Sequence, residues 1–210
     1  MSGALGVYPL KDRRTGKEVD ATLWQSIERR HVDDFINKWK PIFDARLAEL
    51  RSRGAVTAEI AAEHNLQDAY WQWAEKVEER RGELAWASFA VEAEGVTQGL
   101  MFTRVGTDVR AREASQRNQY IVEIDLVAIA PWNRFRLVPA PQFKGIGRLL
   151  LATAISLSFS EEFAGRIGLH ALPQADTWYR DVCGMSDLGI DNTKMRYFEM
   201  TEAQARAFIQ

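Results

Sequence analysis

Tyr120-Ile121-Val122-Glu123-Ile124-Asp125-Leu126-Val127-Ala128-Ile129-Ala130 is closed by Pro131, and eleven residues after that proline comes Gln142-Phe143-Lys144-Gly145-Ile146-Gly147-Arg148. The first segment reads as a buried strand, because β-branched side chains pack well on a pleated surface and a proline cannot donate to a central ladder. The second runs directly into Leu149-Leu150-Leu151-Ala152-Thr153-Ala154-Ile155, which is apolar at helical spacing. Together they form a strand, a turn-rich connection and a glycine loop that opens a helix. The first amides of a helix have no intrahelical acceptor, and glycines let a ligand approach them, so such a loop suits an anion and most naturally a phosphate. Lys144 and Arg148 add positive charge there. Two other phosphate loops fail on the residues: no Gly-Lys-Ser/Thr is present, and Leu150 stands where a dinucleotide fingerprint needs its third glycine.

The pattern Gln142-x-x-Gly145-x-Gly147 resembles the acyl-CoA loop, Gln/Arg-x-x-Gly-x-Gly/Ala, of the GCN5-related N-acetyltransferase (GNAT) superfamily. Further on, Ala175-x-x-x-Tyr179 followed by Cys183-Gly184-Met185 looks like that family's later helix, which carries a tyrosine and ends near a glycine. The resemblance covers roughly Leu84 to Thr201. It implies an α/β fold of three layers, α/β/α, with a mixed, mostly antiparallel central sheet, and an acetyl-CoA-dependent N-acetyltransferase acting by direct attack of a primary amine. The same resemblance implies that acetyl-CoA pairs through its pantetheine arm with the backbone of Val127, Ala128 and Ile129. Its pyrophosphate would then meet Gln142, Phe143, Lys144, Gly145, Ile146, Gly147 and Arg148. The alternative is a non-catalytic member of the fold that binds acyl-CoA or serves as an interaction module.

Composition sets outer bounds. The chain of 210 residues can bury a sizeable core, and its 46% hydrophobic and 27% charged residues are those of an ordinary globular protein. A formal net charge of −2 provides no global field to recruit nucleic acid. The single cysteine, Cys183, allows no intramolecular disulfide, and it reads as a small buried hydrophobe rather than a nucleophile. The N-terminus has no signal-peptide pattern and no apolar run approaches a membrane span, so a cytoplasmic protein with no membrane partner is expected.

In chain order, residues 1–83 read as an enlarged, mostly helical N-terminal part of a single domain. Gly6–Leu10 is a candidate edge strand limited by Pro9, Lys11–Asp20 a charged turn, and Trp24, Ile27, His31, Phe35 and Trp39 one face of a helix beginning at Ala21. Pro41 bends or breaks it, Gly54 stops its continuation, and Thr57 starts another helical pattern running to about Arg81, either continuous or interrupted at His64-Asn65. Residues 84–201 form the sheet core. Within it, Leu84–Ala93 and Val96–Val105 flank the turn Glu94-Gly95 as a hairpin, and Gly106–Gln119 is a surface loop. Gly165–Leu172 is a short strand, which the resemblance places beside Tyr120–Ala130, Met195–Met200 is a last strand, and Thr201-x-x-Gln204 opens a terminal helix over 202–210 with a capping box.

Amide formation from a thioester needs an amine freed of its proton and an acid for the leaving thiolate. The resemblance assigns the acid role to Tyr179, with one departure: the family spaces this tyrosine four residues before its glycine, whereas Tyr179 precedes Gly184 by five. Either one residue bulges out or the ring points elsewhere. For the base, Glu123 and Asp125 lie two apart and so share one face of the strand, where both could meet an amine or pair with arginines such as Arg104 or Arg134. Glu92 and His170 are further candidates, and no metal site is suggested. The long connection 131–142 reads as a cover over the acyl-CoA opening that takes part in substrate selection. The acceptor is a small-molecule or protein amine left unnamed by the residues, and the resemblance allows a homodimer.

Overall fold

A computed structural model describes residues 3–106 and 108–210. Its strands are β1 (Ala4–Asp12), β2 (Glu18–Gln25), β3 (Trp86–Ala93), β4 (Val96–Arg104), β5 (Val122–Ile129), β6 (Phe143–Lys144), β7 (Ile167–Ala171), β8 (Ser186–Ile190) and β9 (Arg196–Met200). They form one sheet in the order β6-β1-β2-β3-β4-β5-β7-β9-β8. β5 and β7 pair in parallel, while β1–β2, β1–β6, β2–β3, β7–β9 and β8–β9 pair antiparallel. The mixed sheet is flanked by helices: α1 (Arg29–Asp34), α2 (Lys40–Arg53), α3 (Ala58–Glu63), α4 (Trp73–Glu79), α5 (Ile146–Ser160) and α6 (Glu202–Ile209).

The chain condenses into two compact units. One comprises the chain up to Glu83 with Ser88–Met101 and Val127–Gly147; the other comprises Leu84–Ala87, Phe102–Leu126 and Arg148–Gln210. In the first, the expected charged turn and helix start over Lys11–Gln25 are replaced by the hairpin β1–β2. Ala21, Leu23 and Leu10 are buried there at period two, and the apolar residues at three- and four-residue spacing concealed that alternation. The helix starts only at Arg29. Pro41 does not end it, because the preceding Phe35–Trp39 turn is π-helical, with the Lys40 N–H donating to the Phe35 carbonyl. A widened turn accommodates a residue that has no N–H and would clash with an α-helical carbonyl. Trp39, Phe43, Leu47 and Trp73 make the core of this unit.

Thr57 caps α3 by accepting the Ile60 N–H, and the helix stops before Asn65, whose φ is +54°. The turn between β3 and β4 has Glu94 at φ +53° and Gly95 at +70°, the type I′ geometry that matches strand twist. In the second unit, α5 buries Leu150, Leu151, Ala154 and Ile155, and α6 begins with the expected capping box of Thr201 and Gln204. The sequence reading lacked β8, because Gly189 reads as a breaker. It sits at φ +82° where the β8–β9 register shifts between Asp187 and Ile190.

Candidate active site

The glycine loop is built onto the N-terminal hairpin. β6 pairs Phe143 with Asp12 and Lys144 with Lys11. The Gln142 carbonyl accepts from the Arg13 N–H at 2.8 Å, the Gln142 N–H donates to the Trp132 carbonyl at 3.0 Å, and its side chain reaches Glu94 at 3.3 Å. The Phe143 N–H donates to Asn133 Oδ1 at 2.8 Å. That amide is therefore committed inside the protein, and the donors left for a ligand lie beyond it. Gly145 has φ +112°, a conformation that side chains rarely adopt, and α5 opens at the next residue.

Lys144 is exposed. The Arg148 guanidinium donates to the Phe208 carbonyl and lies 4.4 Å from the centre of the Phe208 ring, so it is engaged with α6. What Arg148 offers the loop is its backbone amide in the first turn of α5.

Along β5, Val122, Ile124, Leu126 and Ala128 are buried, while Glu123, Val127 and Ile129 are half-buried and Asp125 is exposed on the opposite face. Parallel pairing with β7 covers Val122↔Ile167, Glu123↔Gly168 and Ile124↔Leu169, and β5 then runs on to Ile129. The Ile129 carbonyl accepts two hydrogen bonds from Arg134, at 2.9 Å from Nε and 2.6 Å from Nη2. Those bonds occupy its lone pairs, so among Val127, Ala128 and Ile129 the last has only its N–H to offer.

The connection after β5 is clamped by side-chain hydrogen bonds. Trp132 Nε1 and Asn133 Nδ2 both donate to Gln98 Oε1, at 2.8 and 2.9 Å, and Arg134 is paired with Asp68 instead of with Glu123 or Asp125.

Glu123 lines a cleft of about 520 Å3 in the second unit, together with Arg104, Asp108, Arg110, Arg112, Arg117 and Tyr197. Asp125 is not among its lining residues, so the two carboxylates share a face but not an environment. Arg104 lies 3.7 Å from the Glu123 carboxylate. Across the sheet, Glu123 on β5 is opposite Gly168 on β7, which is opposite Glu199 on β9. Gly168 leaves room for the Tyr197 ring, since a Cβ there would come within 2.4 Å of its hydroxyl. Burial, then the nearby Glu199 carboxylate, raises the Tyr197 phenol well above its ordinary value.

Buried Glu199 accepts the backbone N–H groups of Arg112 and Glu113 at 2.6 and 2.9 Å and the Gln116 amide at 3.1 Å. It thereby anchors the segment that carries the arginines. That segment was expected to be a surface loop, and the alternation Arg110-x-Arg112 was the one available hint of a lined cleft.

Tyr179 is 5% exposed and packs against Phe198 and Trp178 at centroid distances of 5.8 and 5.1 Å. Trp178–Val182 is a π-helical turn, with the Cys183 N–H donating to the Trp178 carbonyl. Such a turn holds one residue more than an α-helical turn. Burial pushes the Cys183 thiol up to about 12, which leaves no thiolate for nucleophilic work. His170 hydrogen-bonds Asp191 at 2.8 Å, and hydrogen bonds from Thr193, His170 and Arg112 hold Asp191 well below the usual carboxylate range. Among the described residues there is no group of three or more side chains able to hold a metal ion, and no helix long and apolar enough to cross a membrane.

No protein-family model and no curated protein matches the sequence. Solved structures do. The PaiA N-acetyltransferase of Thermoplasma acidophilum, in complex with coenzyme A, matches with a TM-score of 0.53 at 10% identity, over 86% of this chain and 98% of that one. The spermidine N-acetyltransferase of Vibrio cholerae, in complex with CoA and spermine, matches with a TM-score of 0.52 at 17% identity, over 90% and 98%. FeeM, an N-acyl amino acid synthase from uncultured soil microbes, matches with a TM-score of 0.52 at 10% identity, over 90% and 95%. At such identities the likeness concerns architecture: this chain has the fold of the GCN5-related N-acetyltransferases.

Proposed function

We propose that the protein is an acyl-CoA-dependent N-acyltransferase, with acetyl-CoA as donor and a primary amine as acceptor. The observation that carries this reading is the loop Gln142–Arg148. It is braced from behind by β1 and Asn133, turns at Gly145 in a left-handed conformation, and opens α5 on a fold shared with two coenzyme A complexes. A pyrophosphate is the ligand that such a set of amides suits best. In this reading the amides from Gly145 to Arg148 meet the pyrophosphate, and the backbone of Val127 and Ala128 with the N–H of Ile129 pairs with pantetheine.

The chemistry then follows from the residues. An amine in water is mostly ammonium and must lose a proton before it can attack. Glu123 takes that proton, directly or through water, and Asp125 is the second candidate on the same strand face. The nitrogen lone pair attacks the thioester carbonyl, the C–N bond forms as the C–S bond breaks, and the nitrogen releases its second proton to water so that a neutral amide results. Tyr179 gives its phenolic proton to the departing thiolate and is reprotonated from solvent.

Calorimetric titration of acetyl-CoA into the protein tests the reading, with a Gly145→Glu, Gly147→Glu variant as control. Micromolar binding that the variant loses supports the site, and thiol release with an amine panel supports transfer. Binding without release from any amine would leave a non-catalytic acyl-CoA-binding protein. No binding by the intact chain overturns the proposal.

A further inference from the structure

The charges of the Glu123 cleft are unequally balanced. Arg104 is paired with Asp108 and lies 3.7 Å from Glu123. Arg112 donates to Asp191 at 2.6 Å and lies over the Tyr197 ring at 4.1 Å. Arg110 and Arg117 have no carboxylate partner among the described residues; Arg110 lies 3.6 Å from the centre of the Tyr120 ring, and Arg117 is exposed. One cleft therefore contains a carboxylate at its strand face and two guanidinium groups that no carboxylate among the described residues neutralises. A concave wall focuses such a field, and the guanidinium fork fits a carboxylate or a phosphate with two parallel hydrogen bonds.

We propose that this cleft receives an acceptor that carries an anionic group, carboxylate or phosphate, as well as its amine. The anionic group meets Arg110 and Arg117, and the amine faces Glu123. Such an acceptor complements both signs of the cleft, whereas a polyamine would bring only positive charge against the two unpaired arginines. The inference rests on the transferase reading insofar as it assigns the amine end to Glu123.

The test pairs amines that differ only in the anion. Amino acids are compared with their carboxamides, phosphoethanolamine with ethanolamine, and spermine is included as a polycation. Calorimetric binding and thiol release from acetyl-CoA are both recorded. Each anionic amine that is used should bind at least ten-fold more tightly than its neutral match. Its source, carboxylate or phosphate, is read from which of the two arms responds.

Arg110→Gln and Arg117→Gln should each raise KM for that amine at least ten-fold while leaving acetyl-CoA binding unchanged. If Arg110→Gln does not fold, exposed Arg117 decides alone. The proposal is overturned if the neutral amines or spermine do as well as the anionic ones, if no anionic amine binds, or if the Arg117 variant leaves KM unchanged. Arginine-dependent binding of an anionic amine without acetyl-CoA binding would sink the transferase reading alone and leave the cleft standing.

Discussion

Arg134 grips Asp68 with both prongs of its guanidinium, Nη1 to Oδ1 at 2.7 Å and Nη2 to Oδ2 at 2.6 Å, and both side chains are buried. The same guanidinium also donates to the carbonyls of Asn65 and Ile129. One residue of the connection after β5 thus ties the turn segment between α3 and α4 to the end of the strand. Removing one partner leaves the other charge buried and uncompensated, so Asp68→Ala should cost about 3–5 kcal/mol. Urea unfolding measures this, and a loss below about 1 kcal/mol would mean that the pair is solvated. Deleting Arg134 to Val138 should likewise lower stability, in keeping with a clamp.

His31 is fully buried, and burial, followed by the charge of Arg30, depresses it to about 4 from 6.5. The unfolded chain therefore takes up this proton at a higher pH than the folded one. Stability from His31 is complete above pH 6.5 and is lost as pH falls toward 4, up to about 3 kcal/mol. Urea midpoints between pH 7.5 and 4 should show that slope. His31→Gln should flatten it, and an unchanged slope in the variant would assign the effect to other groups.

Gly168 has no room for a side chain. A Cβ there meets the Tyr197 hydroxyl at 2.4 Å and Ile121 at 3.1 Å, and Tyr197 is itself buried. Gly168→Ala should destabilise by about 1–3 kcal/mol through forced repacking. A thermal melt within a degree of the parent would show that the Tyr197 ring can swing aside.

If Tyr179 supplies the leaving-group proton and Glu123 takes the amine's, Tyr179→Phe and Glu123→Gln should each lower turnover by about 10²–10⁴-fold. Acetyl-CoA affinity, measured by calorimetry, should stay within about two-fold of the parent. Loss of acetyl-CoA binding in either variant would give that residue a binding role instead.

Local chemistry made much of the architecture legible beforehand. The β5 run, the glycine loop, the Glu94-Gly95 hairpin and the Thr201–Gln204 capping box each rest on neighbouring residues, and each stands in the structure. The N-terminal hairpin was hidden because Trp24, Ile27 and His31 fall at helical spacing although a strand ends at Gln25. Long-range pairing decided between two periods that the local pattern left open. The cleft was hidden for a related reason. Glu123, Tyr197 and Glu199 are brought together only by strand order, and the arginines reach them only because Glu199 holds their segment by its backbone.

The π-helical turn at Trp178–Val182 bears on how this chain is compared with others. A helix that has swallowed one residue shifts everything after it by one position in any alignment that assumes rigid spacing. Counting four back from Gly184 lands on Arg180, a side chain that instead pairs with Asp187 on β8. Tyr179 thus stands five residues before Gly184 in a helix that remains unbroken.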